Sequence, residues 1–118
     1  MTNALRVRLQ EGLTTAMKAG DQVAVRALRS ALSAVANAEA VDVEHAPTST
    51  GGAIAGAVSG LGTAEAPRRD LSDDDVAAVV AAEIAERRSA ADEYDRLGQV
   101  ADAERLRAEA KVLGAFVS

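Results

Sequence analysis

The sequence predicts an all-α protein of about four helices, arranged as two helical hairpins that are joined by a flexible loop rich in Gly and Ala. Three observations support this fold class. Apolar residues recur at steps of three and four in four segments. The 118 residues include 28 Ala but one Phe, one Tyr and no Trp, so a core of such small side chains requires closely packed helices. The length is typical of a single domain, which we predict over residues 1–118.

The first hairpin is predicted to begin at about Asn3, with its first helix ending at Ala19. The apolar stripe of this helix consists of Leu5, Leu9, Leu13, Ala16 and Met17. Gly20 fits the position after the helix end and Asp21 fits the N-cap of the next helix, so the connection is very short. The stripe of the second helix consists of Ala24, Val25, Leu28, Ala31, Leu32, Val35 and Ala38.

A flexible loop is predicted over residues 45–70, because the composition shifts from about Glu44 to small and flexible residues. Gly52, Gly56 and Gly60 share the spacing of membrane helix dimers, but the surrounding apolar stretch is too short to span a bilayer. No strand precedes these glycines and no Gly-Lys-Ser/Thr follows them, so a phosphate-binding loop is not expected.

The second hairpin is predicted to begin at Ser72, which fits an N-cap. Asp73–Asp75 follow it, and their negative charges interact favourably with the positive end of the helix dipole. A calcium loop would spread its ligands over about twelve residues, so we interpret the three aspartates as a helix start. Leu97 and Gly98 end this helix, and a fourth is predicted over about 100–116. The stripes are Val76, Val79, Val80, Ile84 and Ala91 in the third helix, and Ala103, Leu106, Ala110, Leu113 and Val117 in the fourth.

Charge and composition exclude several function classes. The net charge of −5 argues against a surface that is basic throughout. The absence of Cys excludes disulfides, thiolate nucleophiles and cysteine-ligated zinc. His45 is the only His, and no Cys or Ser of a catalytic cluster accompanies it, so we interpret it as a surface residue. We predict no catalytic residue, no metal site and no cofactor.

The amino-terminal segment does not have the pattern of a signal peptide, because Arg6 and Arg8 interrupt its apolar positions. No stretch approaches the roughly 20 apolar residues that a membrane span needs. We therefore expect a soluble cytoplasmic protein without a membrane partner.

Two neighbouring arginines interrupt the pattern of the third helix. Arg87 and Arg88 follow Ile84 by three and four residues, so at least one guanidinium projects at the margin of the apolar stripe. Glu83 and Glu86 are within reach on the same helix. We interpret the pair as part of a structural salt bridge, with contact to an anion or to RNA as the alternative.

The charges are distributed unevenly along the chain. Residues 1–30 carry five basic and two acidic side chains, whereas the remainder carries eight basic and sixteen acidic ones. The amino-terminal hairpin is therefore the predicted place for an anionic partner, although no aromatic residue for base stacking accompanies the charges.

Two runs of sequence carry a resemblance to a known family. In the first half, TTAMKAGD over residues 14–21 is followed by VRALRSALSAVANAEA. In the second half, a Leu-Ser-acid-acid helix start precedes a Glu-Ile-x-x-Arg-Arg turn, a Gly-containing break and a final Ala-Glu-x-x-x-Leu helix. Apart from the loop, most of the chain resembles YqeY-like proteins, also called GatB/YqeY domain proteins. Longer members continue beyond the position of Ser118 into a further helical domain, so we expect a short form similar to the family's amino-terminal domain.

The resemblance implies an all-helical domain related to the tail of the B subunit of the tRNA-dependent amidotransferase. That enzyme amidates glutamate or aspartate mischarged on tRNA and uses glutamine as the nitrogen donor. The family is accordingly described among carbon-nitrogen ligases with glutamine as amido-N-donor. The positions carried over as contacts to an anion, RNA or a partner, and not as catalysts, are Lys18, Arg26, Arg29, Arg87 and Arg88.

Three functional hypotheses follow. The first is a non-catalytic accessory protein that binds tRNA, an amidotransferase or an aminoacyl-tRNA synthetase. The second is a helical protein-interaction module that docks on a partner, or on a second copy as a homo-oligomer, by helix-in-groove packing. The third is an amidotransferase, which the resemblance implies but for which the sequence offers no nucleophile or nucleotide loop. The first is the function that we predict.

Overall fold

The structure, a computed structural model, describes residues 3–45 and 70–118, and it describes the side chains of residues 3–40 and 70–118. This part of the chain forms α1 (Ala4–Ala19), α2 (Gln22–His45), α3 (Asp73–Arg96) and α4 (Val100–Val117). Helices hold 89% of the described residues and no strand occurs among them, which confirms the predicted all-α class. None of the helices described is both long enough and apolar enough to cross a bilayer.

The chain divides into two compact units. The first comprises Met1–Val35 together with Leu71–Ser118, and the second comprises Ala36–Asp70. The first unit therefore contains α1, the first part of α2, α3 and α4. Of the second unit, the structure describes the end of α2 and Asp70. Apart from these two ends, the predicted loop over residues 45–70 lies outside the described residues. His45, where we expected the loop to begin, is still part of α2.

Capping residues set the start and end of α1 and the start of α2, as their residue types predict. The side chain of Asn3 caps α1 by accepting a hydrogen bond from the Arg6 amide at 3.0 Å. Gly20 follows α1 with a φ of +71°, the left-handed conformation that glycine adopts without strain. The Asp21 carboxylate then accepts a hydrogen bond from the Ala24 amide at 3.1 Å and starts α2. A reversal this short forces α1 and α2 to form a hairpin.

The start of α3 has reciprocal caps and is tied to the start of α1. The Asp75 amide donates to the Ser72 hydroxyl at 3.1 Å, and the Ser72 amide donates to the Asp75 carboxylate at 3.1 Å. The Asn3 side-chain amide donates to the Leu71 carbonyl at 2.7 Å. The interpretation of the aspartates as a helix start is therefore confirmed.

The core lies between the predicted apolar stripes and consists largely of Ala, Val and Leu. Leu9, Leu28 and Leu113 are its largest fully buried side chains. One stripe residue was predicted wrongly: Met17 is 52% exposed. At 100° per residue, Ala16 lies in the same direction as the mean of Leu5 and Leu9, whereas Met17 lies about 100° away and faces solvent.

Gly12 lies inside α1 beneath the only Phe of the chain. A Cβ atom at this position would lie 2.7 Å from Cζ of Phe116 and 3.5 Å from Cδ1 of Leu28. The ring therefore rests directly on the backbone of α1, where any side chain would displace it. Because Gly weakens a helix interior, this close approach of α1, α2 and α4 explains its presence.

Substituting the two helical glycines should give opposite results. Gly12→Ala should lower the free energy of unfolding by about 1 kcal/mol, because displacement of the ring outweighs the gain in helix propensity. Gly114→Ala should raise it by about 0.5 kcal/mol, since a Cβ there meets nothing within 4 Å. Urea denaturation followed by circular dichroism measures both. In a Phe116→Ala background, where the ring is absent, Gly12→Ala should also raise the free energy of unfolding. If Gly12→Ala and Gly114→Ala change the free energy of unfolding equally in the unaltered background, the packing described is wrong.

Candidate anion-binding face

The solvent side of α2 carries positive charge and no acid along its first turns. Its exposed positions between 22 and 33 are Gln22, Arg26, Arg29 and Ser33. They recur at steps of four, three and four residues and so lie along one side of the helix. We call these four residues the α2 basic face. On the opposite side, buried residues such as Leu28 hold the helix against the core.

The two arginines of the α2 basic face are unpaired within the described residues, where neither makes a hydrogen bond or an ion pair. Most arginines elsewhere in that part are bonded: Arg8, Arg87, Arg96, Arg105 and Arg107. The guanidinium groups of Arg26 and Arg29 are thus available to a ligand, and a planar guanidinium binds phosphate with two parallel hydrogen bonds.

The other predicted contact residues are distributed over both hairpins. Lys18 is exposed in the last turn of α1, and the Gly20–Asp21 turn joins it to α2. Arg88 is exposed on α3, in the second hairpin. Like the arginines of α2, both lack a hydrogen-bonding or ionic partner among the described residues. Lys18 thus belongs to the same hairpin as Arg26 and Arg29, whereas Arg88 lies on α3.

Arg87 has a different environment from the other predicted contact residues. Its guanidinium donates through Nε to Glu109 Oε1 at 3.0 Å and through Nη1 to Glu83 Oε1 at 2.9 Å. The side chains of Arg87, Glu83 and Glu109 are 12%, 16% and 6% exposed. The salt-bridge interpretation is confirmed for Glu83, whereas Glu86 lies exposed. Arg87 thus joins α3 to α4 and is turned away from solvent.

Ser30 extends this network to α2. Its hydroxyl donates to Glu83 Oε1 at 2.8 Å, so one carboxylate oxygen accepts from both Ser30 and Arg87. Ser30 directly follows Arg29 in the chain, so this hydrogen bond ties α2 to α3 beside the α2 basic face. The network therefore helps to set the direction in which the α2 basic face points.

Sequence reasoning missed Glu109 and Ser30. Glu109 precedes the buried Ala110 and lies three residues after Leu106 and four before Leu113. This spacing places it on the apolar stripe of the fourth helix, so its burial could have been predicted from the sequence. An acid on that stripe requires a cation on a facing helix. For Ser30 the sequence offers no comparable signal, because serine is common on half-buried helix faces.

Several surface arginines of the second hairpin are bonded to acids of the same hairpin. Arg107 of α4 bonds Asp92 at 2.7 Å and Asp95 at 2.8 Å on α3, and Arg96 pairs with Glu93. The hydrogen bonds that Arg107 donates to Asp92 and Asp95 raise the pKa of Arg107 above its ordinary value, and the bond that Arg96 donates to Glu93 raises the pKa of Arg96. Arginine is charged at every physiological pH in any case, so these shifts reflect the carboxylate contacts and change no charge state.

Clusters of acidic, His or Cys residues able to hold a metal do not occur in the described ranges. His45 is the last residue of α2. No protein-family model, no curated protein and no solved structure matches this chain. The resemblance to YqeY-like proteins therefore stays a prediction.

Proposed function

We propose that this protein is a non-catalytic accessory protein that binds RNA through the α2 basic face, with Lys18 as a neighbouring contact. The observation that carries the proposal is a pair of exposed arginines one turn apart that are unpaired within the described residues, on the side of α2 whose exposed positions from 22 to 33 include no acid. Phosphate groups bind such guanidinium groups, and release of counterions supplies most of the affinity. tRNA is the RNA that the family resemblance implies, and it is the first ligand to test.

The overall charge of the chain favours RNA binding at one local site over nonspecific RNA binding across the surface. With a net charge of −5, most of the surface repels a polyanion, whereas the α2 basic face attracts it. The accessory role suggested by the resemblance, beside an amidotransferase or an aminoacyl-tRNA synthetase, requires the same behaviour. Such a protein binds RNA weakly, and the partner enzyme catalyses the reaction.

Replacing both arginines of the α2 basic face should reduce RNA binding. We expect Arg26→Ala with Arg29→Ala to weaken tRNA binding at least about tenfold at low salt, and to lower the slope of log K against log salt by about two, since each phosphate contact contributes about 0.9. Fluorescence anisotropy with labelled tRNA measures both quantities.

The matched control is Arg96→Ala with Arg107→Ala, which removes the same charge from arginines that are already paired. This variant should bind tRNA about as well as the unaltered chain does. Equal losses in the two variants would show that net charge governs binding, and no binding of the unaltered chain at low salt would reject the proposal.

A second candidate function, docking on another protein, is favoured by the turn between α3 and α4. Leu97 and Val100 are 62% and 55% exposed there, on either side of Gly98. Two large apolar side chains on one exposed turn are a common feature of protein contact surfaces. A native pull-down with and without ribonuclease separates the two functions, because a protein partner recovered after ribonuclease treatment supports docking.

A further inference from the structure

We infer that the α2 basic face binds base-paired RNA through its backbone, and not single-stranded RNA through its bases. The inference rests on the proposed function and specifies its ligand. It follows from the position of the aromatic residues, the rigidity of α2 and the chemistry of the four residues on the face.

The aromatic residues of the chain do not lie on the α2 basic face. The sequence holds one Tyr, one Phe and no Trp. Tyr94 is half-buried on α3, and the Phe116 ring covers Gly12. His45 lies at the far end of α2. Single-stranded RNA is bound largely by stacking of unpaired bases on aromatic side chains. Without such a platform, the α2 basic face offers unpaired bases only the guanidinium planes of Arg26 and Arg29 for stacking.

The α2 basic face is rigid because its opposite side is packed in the core. Ala27 and Ala31 are completely buried and Leu28 is 1% exposed, while the Ser30 hydroxyl is bonded to Glu83. Arg26 and Arg29 therefore project from a fixed rod, with Cβ atoms about 5–6 Å apart. Two charges held in fixed positions on a helix complement the backbone of a duplex, whose phosphates are themselves fixed in space.

Electrostatics also favours the duplex. A double helix carries about twice as many charges per unit length as one of its strands, and each phosphate contact releases more counterion on a duplex than on a single strand. A site whose affinity comes mainly from charge therefore prefers paired RNA. Because the major groove of A-form RNA excludes side chains, such binding does not depend on sequence.

The two neutral residues of the face favour RNA over DNA. The Gln22 amide and the Ser33 hydroxyl are exposed in line with the arginines, and both groups hydrogen-bond hydroxyls. The wide and shallow minor groove of an RNA duplex displays its 2′-hydroxyls there, and these groups are absent from DNA. Arginines on phosphates and neutral groups on 2′-hydroxyls together form a contact suited to the minor-groove side of an RNA helix.

The test compares four labelled ligands with the full chain at low salt: two RNA duplexes of about 16 base pairs with unrelated sequences, a non-pairing RNA strand and a DNA duplex. We expect both RNA duplexes to bind within about twofold of each other and about tenfold more tightly than the single strand, a difference of about 1.4 kcal/mol. Gln22→Ala with Ser33→Ala should reduce the preference for RNA over DNA duplex.

The outcomes separate this inference from the proposed function. If the single strand binds as tightly as the duplexes, and Arg26→Ala with Arg29→Ala abolishes that binding, the inference is wrong while the proposed function stands. A dependence on duplex sequence of more than about tenfold would also overturn the inference. If no RNA binds, both are wrong. Circular dichroism of each variant confirms that a loss of binding does not reflect unfolding.

Discussion

Replacing Arg87 with Ala should lower the free energy of unfolding by about 3 kcal/mol. The substitution removes the cation that bonds both Glu83 and Glu109, whose side chains are 16% and 6% exposed. Two carboxylates shielded from water would then repel each other without compensation, and breaking a buried pair from one side typically costs about 3–5 kcal/mol. We take the lower end because Glu83 keeps the hydrogen bond from Ser30 and some contact with solvent.

Urea denaturation of Arg87→Ala measures this loss, and Arg107→Ala is its matched control. Arg107 also bridges two carboxylates, Asp92 and Asp95, at 2.7 and 2.8 Å, but it lies on the surface. Exposed pairs are screened by water, so the control should change stability far less. Similar losses in both variants would mean that the Arg87 network is not shielded from solvent.

A second substitution tests whether the unpaired charge causes the loss. In the Arg87→Ala background, Glu109→Gln should restore part of the stability, because a neutral amide costs less to bury than a carboxylate. In the unaltered background the same change should destabilise, since it removes the negative charge that lies 3.0 Å from Nε of Arg87. If Glu109→Gln stabilises the Arg87→Ala variant but destabilises the unaltered chain, the unpaired charge is the cause of the loss. If lost packing is the cause, Glu109→Gln should lower stability in both backgrounds.

The helices and their ends could be predicted from the sequence because the signals are local. Asn3, Asp21 and Ser72 each cap a helix within three residues along the chain, and Gly20 adopts its left-handed conformation through the same short-range geometry. An ionic partner on the same helix can be predicted in the same way. Glu83 precedes Arg87 by four residues, a spacing that places both side chains on one side of the helix.

Contacts between helices could not be predicted in this way. Glu109 is separated from Arg87 by 22 positions, and Ser30 from Glu83 by 53. Their pairing depends on the rotation and register of whole helices, which the packing of the stripes decides. The sequence consequently assigned Arg87 and Arg88 to the same candidate set, although the structure bonds the first and leaves the second exposed.

The candidate site illustrates the same limit. An excess of basic residues in the first hairpin is visible in the sequence, and so is the spacing of Arg26 and Arg29. Which cations remain unpaired is decided by neighbouring helices, because an acid on a facing helix can neutralise an arginine. In the described residues Asp92, Glu93 and Asp95 pair with arginines of their own hairpin, and no acid of a facing helix bonds Arg26 or Arg29.

Leu28→Ala should lower the free energy of unfolding by about 3 kcal/mol, within the usual range of about 2–5 kcal/mol for a buried leucine. Leu28 is 1% exposed, and it lies beside Gly12 and Phe116 where α1, α2 and α4 meet. Its core neighbours on α2, Ala27 and Ala31, are too small to fill the space that the substitution leaves. Urea denaturation again supplies the measurement, with Leu97→Ala as the control.

Leu97 is 62% exposed, so the same loss of atoms should change stability by no more than about 0.5 kcal/mol. Leu28→Ala has a second expected consequence, because Arg29 follows Leu28 directly and loosened packing lets α2 turn. RNA binding should then weaken even at temperatures where the variant remains folded, and Leu97→Ala should leave it unchanged. If Leu28→Ala alters stability as little as Leu97→Ala does, α2 is not anchored at this point, and the rigid face on which duplex binding depends does not exist.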